Sequence, residues 1–166
     1  CIALNWEVLP QTTVQMSELT RSDAERDQEQ GLNIVIPDNF TSIGINAFIG
    51  NQLSSAVIPD SVTSIGNRAF ELNQLTSIVI PDSVSSIGIR AFFENELGAV
   101  VIPDSVTSIG RLAFGNNQLT SVDIPDNVVS IGDRAFFNNQ IESVVLPIGI
   151  TEIFPSSFDA NVEITS

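Results

Sequence analysis

The chain has 166 residues, enough for one ordinary domain, and its 20 acidic and 6 basic residues give a net charge of −14. This charge argues against a nucleic-acid partner, which needs a cationic surface, and against binding to an anionic membrane surface. The sequence has no His, and its single Cys is Cys1, so a His-based catalytic site, a disulfide framework and a Cys-rich zinc site are all excluded.

The first 30 residues differ from the rest of the chain. The segment CIALNWEV alternates apolar and polar residues, and Pro10 and Gln11 then allow a turn into TTVQM. We predict that residues 1–30 form an N-terminal cap, a β-hairpin followed by a polar loop or short helix, which covers the apolar end of the repeats. Cys1 leaves two interpretations open, a trimmed chain and the lipid-modified Cys of a bacterial lipoprotein.

A 22-residue repeat occupies the remainder, residues 31–166. An Ile-Pro or Leu-Pro pair recurs at this period six times, without insertion or deletion. Because loops normally tolerate insertions, the constant length indicates coils that stack on one another at every position. We predict six coils, the last of them incomplete. No apolar run approaches the ~18 residues of a membrane-spanning helix.

Each coil carries seven apolar positions in the pattern L-x-x-L-x-L followed by V-x-x-I-x-x-x-A-F. The first half is the strand signature of a leucine-rich repeat. One coil cannot bury seven apolar side chains alone, whereas stacked coils can, so the pattern predicts a solenoid. In one coil these positions are Leu75, Ile78, Ile80, Val84, Ile87, Ala91 and Phe92.

Polar and glycine columns mark the corners of the coil. The Asp after each Pro is expected to cap the turn through its own backbone, and the glycines are expected at positive φ. The asparagine amides are expected to bond the backbone of the next coil and so to form an internal ladder. The glycine column is Gly44, Gly66, Gly88, Gly110 and Gly132, and the asparagine column is Asn51, Asn73, Asn95, Asn117, Asn139 and Asn161.

The repeated pattern LTSIVIPDSVTSIGxxAF resembles the BspA-type leucine-rich repeat over residues 32–161. The resemblance implies a right-handed solenoid with a parallel β-sheet on one face and an irregular opposite face of short strands or 3₁₀ turns. It also implies a cell-surface or secreted protein with a role in adhesion or recognition, and not an enzyme. The family often has Cys after the Ala-Phe pair, where this chain has Asn.

The outward positions of the L-x-x-L-x-L strands are the candidate ligand face. They form an apolar stripe interrupted by one carboxylate and rimmed by hydroxyls, and such patches tend to mark interfaces. A valine column can equally reflect the preference of Val for strands. The predicted face, which would contact a protein or glycan ligand, consists of Val57, Val79, Val101, Asp123, Val145, Ser55, Ser77, Ser121 and Ser143.

An alternative function is a structural spacer or a self-assembling scaffold, in which the valine stripe and an uncapped C-terminal edge would pair with another copy. A calcium site on the aspartates is a weaker hypothesis, because one Asp per coil supplies too few ligands. We therefore predict no metal, no cofactor and no catalytic residue. The aspartates in question are Asp38, Asp60, Asp82, Asp104 and Asp126.

Overall fold

The computed structural model describes residues 13–14 and 32–165, and in these residues every regular element is a short β-strand. The strands build a parallel β-solenoid of about six turns, which confirms the predicted fold class. Paired residues are one repeat apart, as in Ser64 with Ser86 and Ser86 with Ser108. The 22-residue period is therefore the length of one coil.

One face of the solenoid is a continuous seven-stranded parallel sheet, which we call the serine–isoleucine face. Its strands have only two residues, in most coils a half-buried Ser followed by a buried Ile. This continuous sheet lies on the face where the resemblance implied irregular structure. The strands are β1 (Thr13–Val14), β3 (Ser42–Ile43), β5 (Ser64–Ile65), β7 (Ser86–Ile87), β9 (Ser108–Ile109), β10 (Ser130–Ile131) and β12 (Glu152–Ile153).

The opposite face carries the L-x-x-L-x-L segments, and we call it the valine face. Here the strands pair only in twos, β2 with β4, β6 with β8 and β11 with β13, and residues 119–124 form no strand. Side chains alternate between exposed and buried in the middle pair, as a strand with one covered side requires. The strands are β2 (Leu32–Val35), β4 (Leu53–Val57), β6 (Ser77–Val79), β8 (Ala99–Val101), β11 (Ser143–Val145) and β13 (Glu163–Thr165).

The apolar columns form one continuous core between the two faces. The phenylalanine rings stack along the whole solenoid, with centroids 5.0–5.4 Å apart and nearly parallel planes. Such offset pairs stabilise beyond the burial of their area. All seven apolar positions predicted for one coil are buried, namely Leu75, Ile78, Ile80, Val84, Ile87, Ala91 and Phe92.

A column of buried asparagines forms the predicted ladder between coils, although each amide bonds the preceding coil and not the next one. The Asn117 Oδ1 accepts a hydrogen bond from the Leu97 backbone N–H at 3.0 Å, and its Nδ2 donates to the carbonyls of Phe92 and Phe114 at 2.9 and 3.1 Å. The N–H of the first Leu of the L-x-x-L-x-L segment is thereby bonded to a side chain of the following coil, as the bonds of Leu53 and Leu75 repeat.

The expectation that the column glycines adopt positive φ is wrong. The φ of Gly66, Gly88, Gly110 and Gly132 lies outside the left-handed region, and their special role is close approach. The N–H of each donates to an Ile carbonyl of the preceding coil at 2.8–2.9 Å. A Cβ on Gly88 would lie 2.6 Å from the Gly66 carbonyl carbon. Only a residue without a side chain permits coils to approach this closely at the corner.

We call this corner of the coil the long turn; in one coil it spans residues 66–73. The residues with positive φ lie in the long turn, but at two positions of the repeat other than the glycine. Arg68 and Leu72 have φ of 57° and 61°, and Arg90 and Glu94 repeat the conformation in the next coil. Their N–H groups donate to carbonyls of the following coil at 2.8–3.1 Å. Inter-coil hydrogen bonding therefore holds non-glycine residues in a conformation that costs about 1–2 kcal/mol each.

The other corner is the short turn at the Pro-Asp pair. The turn is closed by the backbone, because the Val84 N–H donates to the Pro81 carbonyl at 3.0 Å and the other coils repeat the bond. The predicted Asx cap is therefore wrong for the described residues. The aspartate side chains point outward and are exposed at Asp38, Asp60, Asp82, Asp104 and Asp126.

At the N-terminal end, β1 pairs in parallel with β3 and extends the seven-stranded sheet over the first coil. Thr13–Val14 belong to the second strand of the predicted hairpin; the rest of the hairpin, the polar loop and Cys1 lie outside the described residues. At the other end, the Phe158 ring stacks on the Phe136 ring, but Asn161 is exposed and does not continue the column of buried asparagines. The Asp159 carboxylate accepts the N–H groups of Asn138 and Asn139 there, at 3.0 and 3.1 Å.

Replacing Gly88 by Ala tests the close approach of coils. The added Cβ would meet backbone atoms 2.6 and 2.7 Å away, and we expect a loss of about 1–3 kcal/mol in the free energy of unfolding. Gly98→Ala is the matched control, since a Cβ there meets nothing within 4 Å. Chemical denaturation measures the free energy of unfolding of the two variants. Equal losses in both would contradict the conclusion that the glycine column permits the close approach of coils.

Replacing Asn117 by Leu tests the asparagine ladder. The buried Leu97 N–H would lose its acceptor, and we expect a cost of about 1–3 kcal/mol in the free energy of unfolding. Asn161→Leu is the control, because that exposed side chain makes no such bond and should change stability by less than about 0.5 kcal/mol. Thermal unfolding of both variants compares them, and a neutral Asn117→Leu would rule the ladder out as a stabilising element.

Candidate functional site

The valine face presents a row of exposed apolar side chains. Val57, Val79, Val101 and Val145 are 55–78% exposed, while their strand neighbours Ile78 and Val100 point into the core. Neighbouring coils lie about 4.8 Å apart, so Val57, Val79 and Val101 form a contiguous stripe, and Asp123 separates this stripe from Val145. Their β-branched side chains have few rotamers, which lowers the entropy lost when a partner covers them.

The remaining predicted residues lie on the same face. Asp123 is exposed at the valine position of its coil, and Ser77, Ser121 and Ser143 are exposed two residues earlier in theirs. Ser55 is half-buried, and its hydroxyl donates to Asn33 Oδ1 at 2.6 Å. The structure therefore brings all nine predicted residues to one surface, with the Ser55 hydroxyl already engaged.

A second surface, which the sequence analysis did not single out, is a row of arginines on the long turns. We call it the arginine flank, and it contains every arginine of residues 32–165 in an otherwise acidic chain. Arg68, Arg90 and Arg134 have positive φ and occupy the same position of the repeat. The fourth arginine lies one residue before that position. Their shared place in the repeat was a sequence feature that could have revealed the row. The arginines are Arg68, Arg90, Arg111 and Arg134.

Glu71 joins two of these arginines. Its side chain is only 6% exposed, and its oxygens lie 3.4 Å from Arg68 Nε and 3.2 Å from Arg90 Nη1. A buried carboxylate is costly unless paired, so the two guanidinium groups stabilise it and are themselves held in place. The Arg90 guanidinium also lies over the Phe93 ring, 5.0 Å from its centroid.

Asp133 likewise forms an ion pair with an arginine of this flank, further along the chain. Its carboxylate lies 3.3 Å from Arg111 Nε and accepts a hydrogen bond from the Ser156 hydroxyl. The Ser156 hydrogen bond is the main reason that the pKa of Asp133 lies below its usual range, and Arg134 and Arg111 act in the same direction. Arg134 lies over the Phe137 ring at 5.5 Å. Each arginine of this flank is thus oriented by a partner within the chain.

The serine–isoleucine face holds a shallow groove of about 350 Å³. Serine hydroxyls and the column glycines line it, and Glu152 stands at the serine position of the last coil. Between residues 32 and 165, no three His, Cys, Asp or Glu side chains come close enough together to hold a metal ion. In the same part of the chain, no helix is long and apolar enough to cross a membrane.

Comparison with solved structures identifies similar solenoids in bacterial proteins. The pneumococcal vaccine antigen PcpA shares 25% identity at a TM-score of 0.62, over 70% of this chain and 31% of that one. A leucine-rich repeat protein from Eubacterium ventriosum ATCC 27560 shares 18% identity at a TM-score of 0.50, over 81% of this chain and 38% of that one. The chain therefore spans about a third of the length of these two proteins.

A leucine rich cell surface protein from Faecalibacterium prausnitzii A2-165 shares 27% identity at a TM-score of 0.42, over 78% of this chain and 51% of that one. A comparison with curated protein sequences finds no match. The model of the BspA type leucine rich repeat region matches residues 28–122 and 85–166, with six copies. These matches cover most of the chain, which therefore belongs to the BspA-type leucine-rich repeat family.

Proposed function

We propose that the chain is a non-catalytic binding module, at a cell surface or secreted, which uses its valine face to bind a protein ligand. The observation that carries the proposal is the row of solvent-exposed valines on neighbouring coils. Exposed apolar stripes of this kind are costly in water and tend to be covered by a partner. The surface location follows from the family resemblance and is part of the proposal.

A protein ligand fits this face better than a glycan. Glycan sites commonly use aromatic platforms with many hydrogen-bonding groups, whereas the outward column of this face consists of valines and Asp123. A flat apolar stripe with a hydroxyl rim has the composition of a protein–protein contact, with an apolar centre and a polar edge. A glycan ligand remains an outcome of the test below.

Asp123 gives the face a specific polar contact. It is an exposed carboxylate inside an apolar row, and a partner that covers the row would have to satisfy its charge. An Arg or Lys of the ligand would do so, and the net charge of −14 would also favour the approach of a basic surface. The proposed ligand is therefore a protein with an apolar patch that surrounds at least one basic side chain.

The non-catalytic assignment rests on the chemistry that the chain offers. His is absent from the sequence, and the buried carboxylate Glu71 is occupied by two arginines instead of facing a cleft. The groove on the serine–isoleucine face is lined by serine hydroxyls and by the Glu152 carboxylate, which is the strand partner of Ser130. No hydrogen bond joins these two side chains in the described residues, and a hydroxyl that is not hydrogen-bonded to a base is a poor nucleophile.

Charge insertion on the valine face tests the proposal. Val79→Glu with Val101→Glu should leave the fold intact, because both side chains are more than three-quarters exposed, and should weaken ligand binding about tenfold or more. The matched control, Thr107→Glu with Val129→Glu, adds the same charge to adjacent coils on the opposite face. The probes are immobilised extracellular-matrix proteins and a glycan array, and circular dichroism checks the fold.

The proposal fails if the valine-face variant binds as well as the control, or if the unmodified chain binds none of the probes. Binding to the glycan array alone would show that the ligand class is wrong. Loss of binding in the control as well would point to general electrostatic repulsion instead of contact at this face.

A further inference from the structure

The two corners of the coil lie on opposite sides of the solenoid and differ in charge. The short turns carry a row of carboxylates, whereas the four long turns that hold the arginines also hold Glu71, Glu94 and Asp133, so that four positive and three negative charges leave a net charge of +1 there. The chain alternates between the valine face and the serine–isoleucine face, so its two connections lie on opposite flanks of each coil. The long turns form the arginine flank. The short turns form what we call the aspartate flank, the row of exposed carboxylates at Asp38, Asp60, Asp82, Asp104 and Asp126.

The two rows have nearly the same spacing along the solenoid. The aspartates repeat every 22 residues, and the arginines are 22, 21 and 23 residues apart. Asp60 and Asp82 share their coils with the arginines eight residues later, Arg68 and Arg90, and Asp104 shares its coil with Arg111, seven residues later; the coil of Asp38 has no arginine. Asp126 and Arg134 repeat the eight-residue pairing. A second copy shifted sideways, without rotation or a change of height, would therefore place its aspartates beside these arginines.

The charged groups on both flanks are available for such pairing. The described residues provide no hydrogen bond or ion pair to the side chains of the five aspartates. Arg68 and Arg111 are 49% and 55% exposed, and each uses only one N–H in its contact within the chain. A guanidinium stacked on a ring, as in Arg90 and Arg134, keeps the donors along its edge free for a carboxylate.

The arginine flank also exposes apolar side chains that a second copy would cover. Leu72, Ile89 and Phe137 are 40–48% exposed and lie on or beside the long turns. Arginine and aromatic residues together are the composition enriched in protein interfaces. The intrachain partners Glu71 and Asp133 already hold three of the arginines, so little side-chain freedom remains to be lost.

We propose that the arginine flank docks the aspartate flank of a second copy of this chain. The contact is heterologous, because it joins two different surfaces. In a pair of copies, one copy therefore has a free arginine flank and the other a free aspartate flank. Further copies can bind there, so association continues into open rows of parallel solenoids. Because the relation is a sideways shift, every valine face in a row points the same way. The proposal does not depend on the ligand proposed above, but a row would present that face in multiple copies.

Association through these flanks should be weak in solution. Exposed ion pairs each contribute little, and two chains of net charge −14 repel each other. Rows would therefore form chiefly where copies are concentrated, as on a surface. Sedimentation velocity over a concentration series should show reversible growth into a series of oligomers, with no preferred closed dimer.

Two sets of substitutions separate flank pairing from general repulsion. The variant Asp60→Asn, Asp82→Asn, Asp104→Asn and Asp126→Asn removes four charges of the aspartate flank and should weaken association about tenfold or more. The control Glu96→Gln, Glu142→Gln, Glu152→Gln and Glu163→Gln removes the same charge from exposed positions outside the two flanks. Because it lowers the net repulsion and spares the flanks, the control should associate at least as strongly as the unmodified chain.

A mixing experiment tests the direction of the contact. The variant Arg111→Gln with Arg134→Gln weakens the arginine flank and spares the two partners of buried Glu71. Each variant alone should associate about tenfold or more weakly than the unmodified chain, whereas their mixture should form chiefly 1:1 heterodimers. A chain that stays monomeric at every concentration, or an aspartate variant that associates as well as the control, would overturn the proposal.

Discussion

The distance between neighbouring coils is the constraint on which the rest of the molecule depends. Coils must lie close enough for backbone hydrogen bonds on both faces and at the long turn, and the column glycines permit this at the tightest corner. A Cβ would lie 2.4–2.7 Å from backbone atoms of the preceding coil at each of Gly66, Gly88, Gly110 and Gly132. The spacing then aligns the phenylalanine rings and brings each asparagine amide within reach of the coil before it.

This spacing also determines which surfaces the chain can present. A side chain at one position of the repeat is repeated at every coil, so single outward residues become rows: valines on one face, serines on the other, arginines and aspartates on the flanks. Rows of like charge repel, and the chain relieves this on the arginine flank by placing Glu71 and Asp133 between the guanidinium groups. The aspartates have no such partners among the described residues, which leaves that flank strongly anionic.

The two proposed surfaces are compatible with each other. The valine face is the flat side of the solenoid, whereas the charged flanks are its edges, so a ligand and a neighbouring copy would not compete for the same residues. The core is apolar and continuous behind both surfaces, and their residues contribute little to it. Function at either surface can therefore vary through outward residues while the stacked core stays the same.

The sequence by itself determined the coil length, the apolar columns, the buried asparagines and the exposed valines, because a strict 22-residue period requires equivalent residues to stack. It could not determine the backbone conformation at the corners. A Gly is compatible both with positive φ and with close approach of two backbones, and an Asp side chain can either cap a turn or point into solvent. Tertiary structure decided these points. Hydrogen bonds between coils placed Arg68 and Leu72 at positive φ and the continuous sheet on the serine–isoleucine face. They also brought Arg111 into line with Asp133 of the next coil, a contact that depends on the distance between coils and is not encoded in either residue alone.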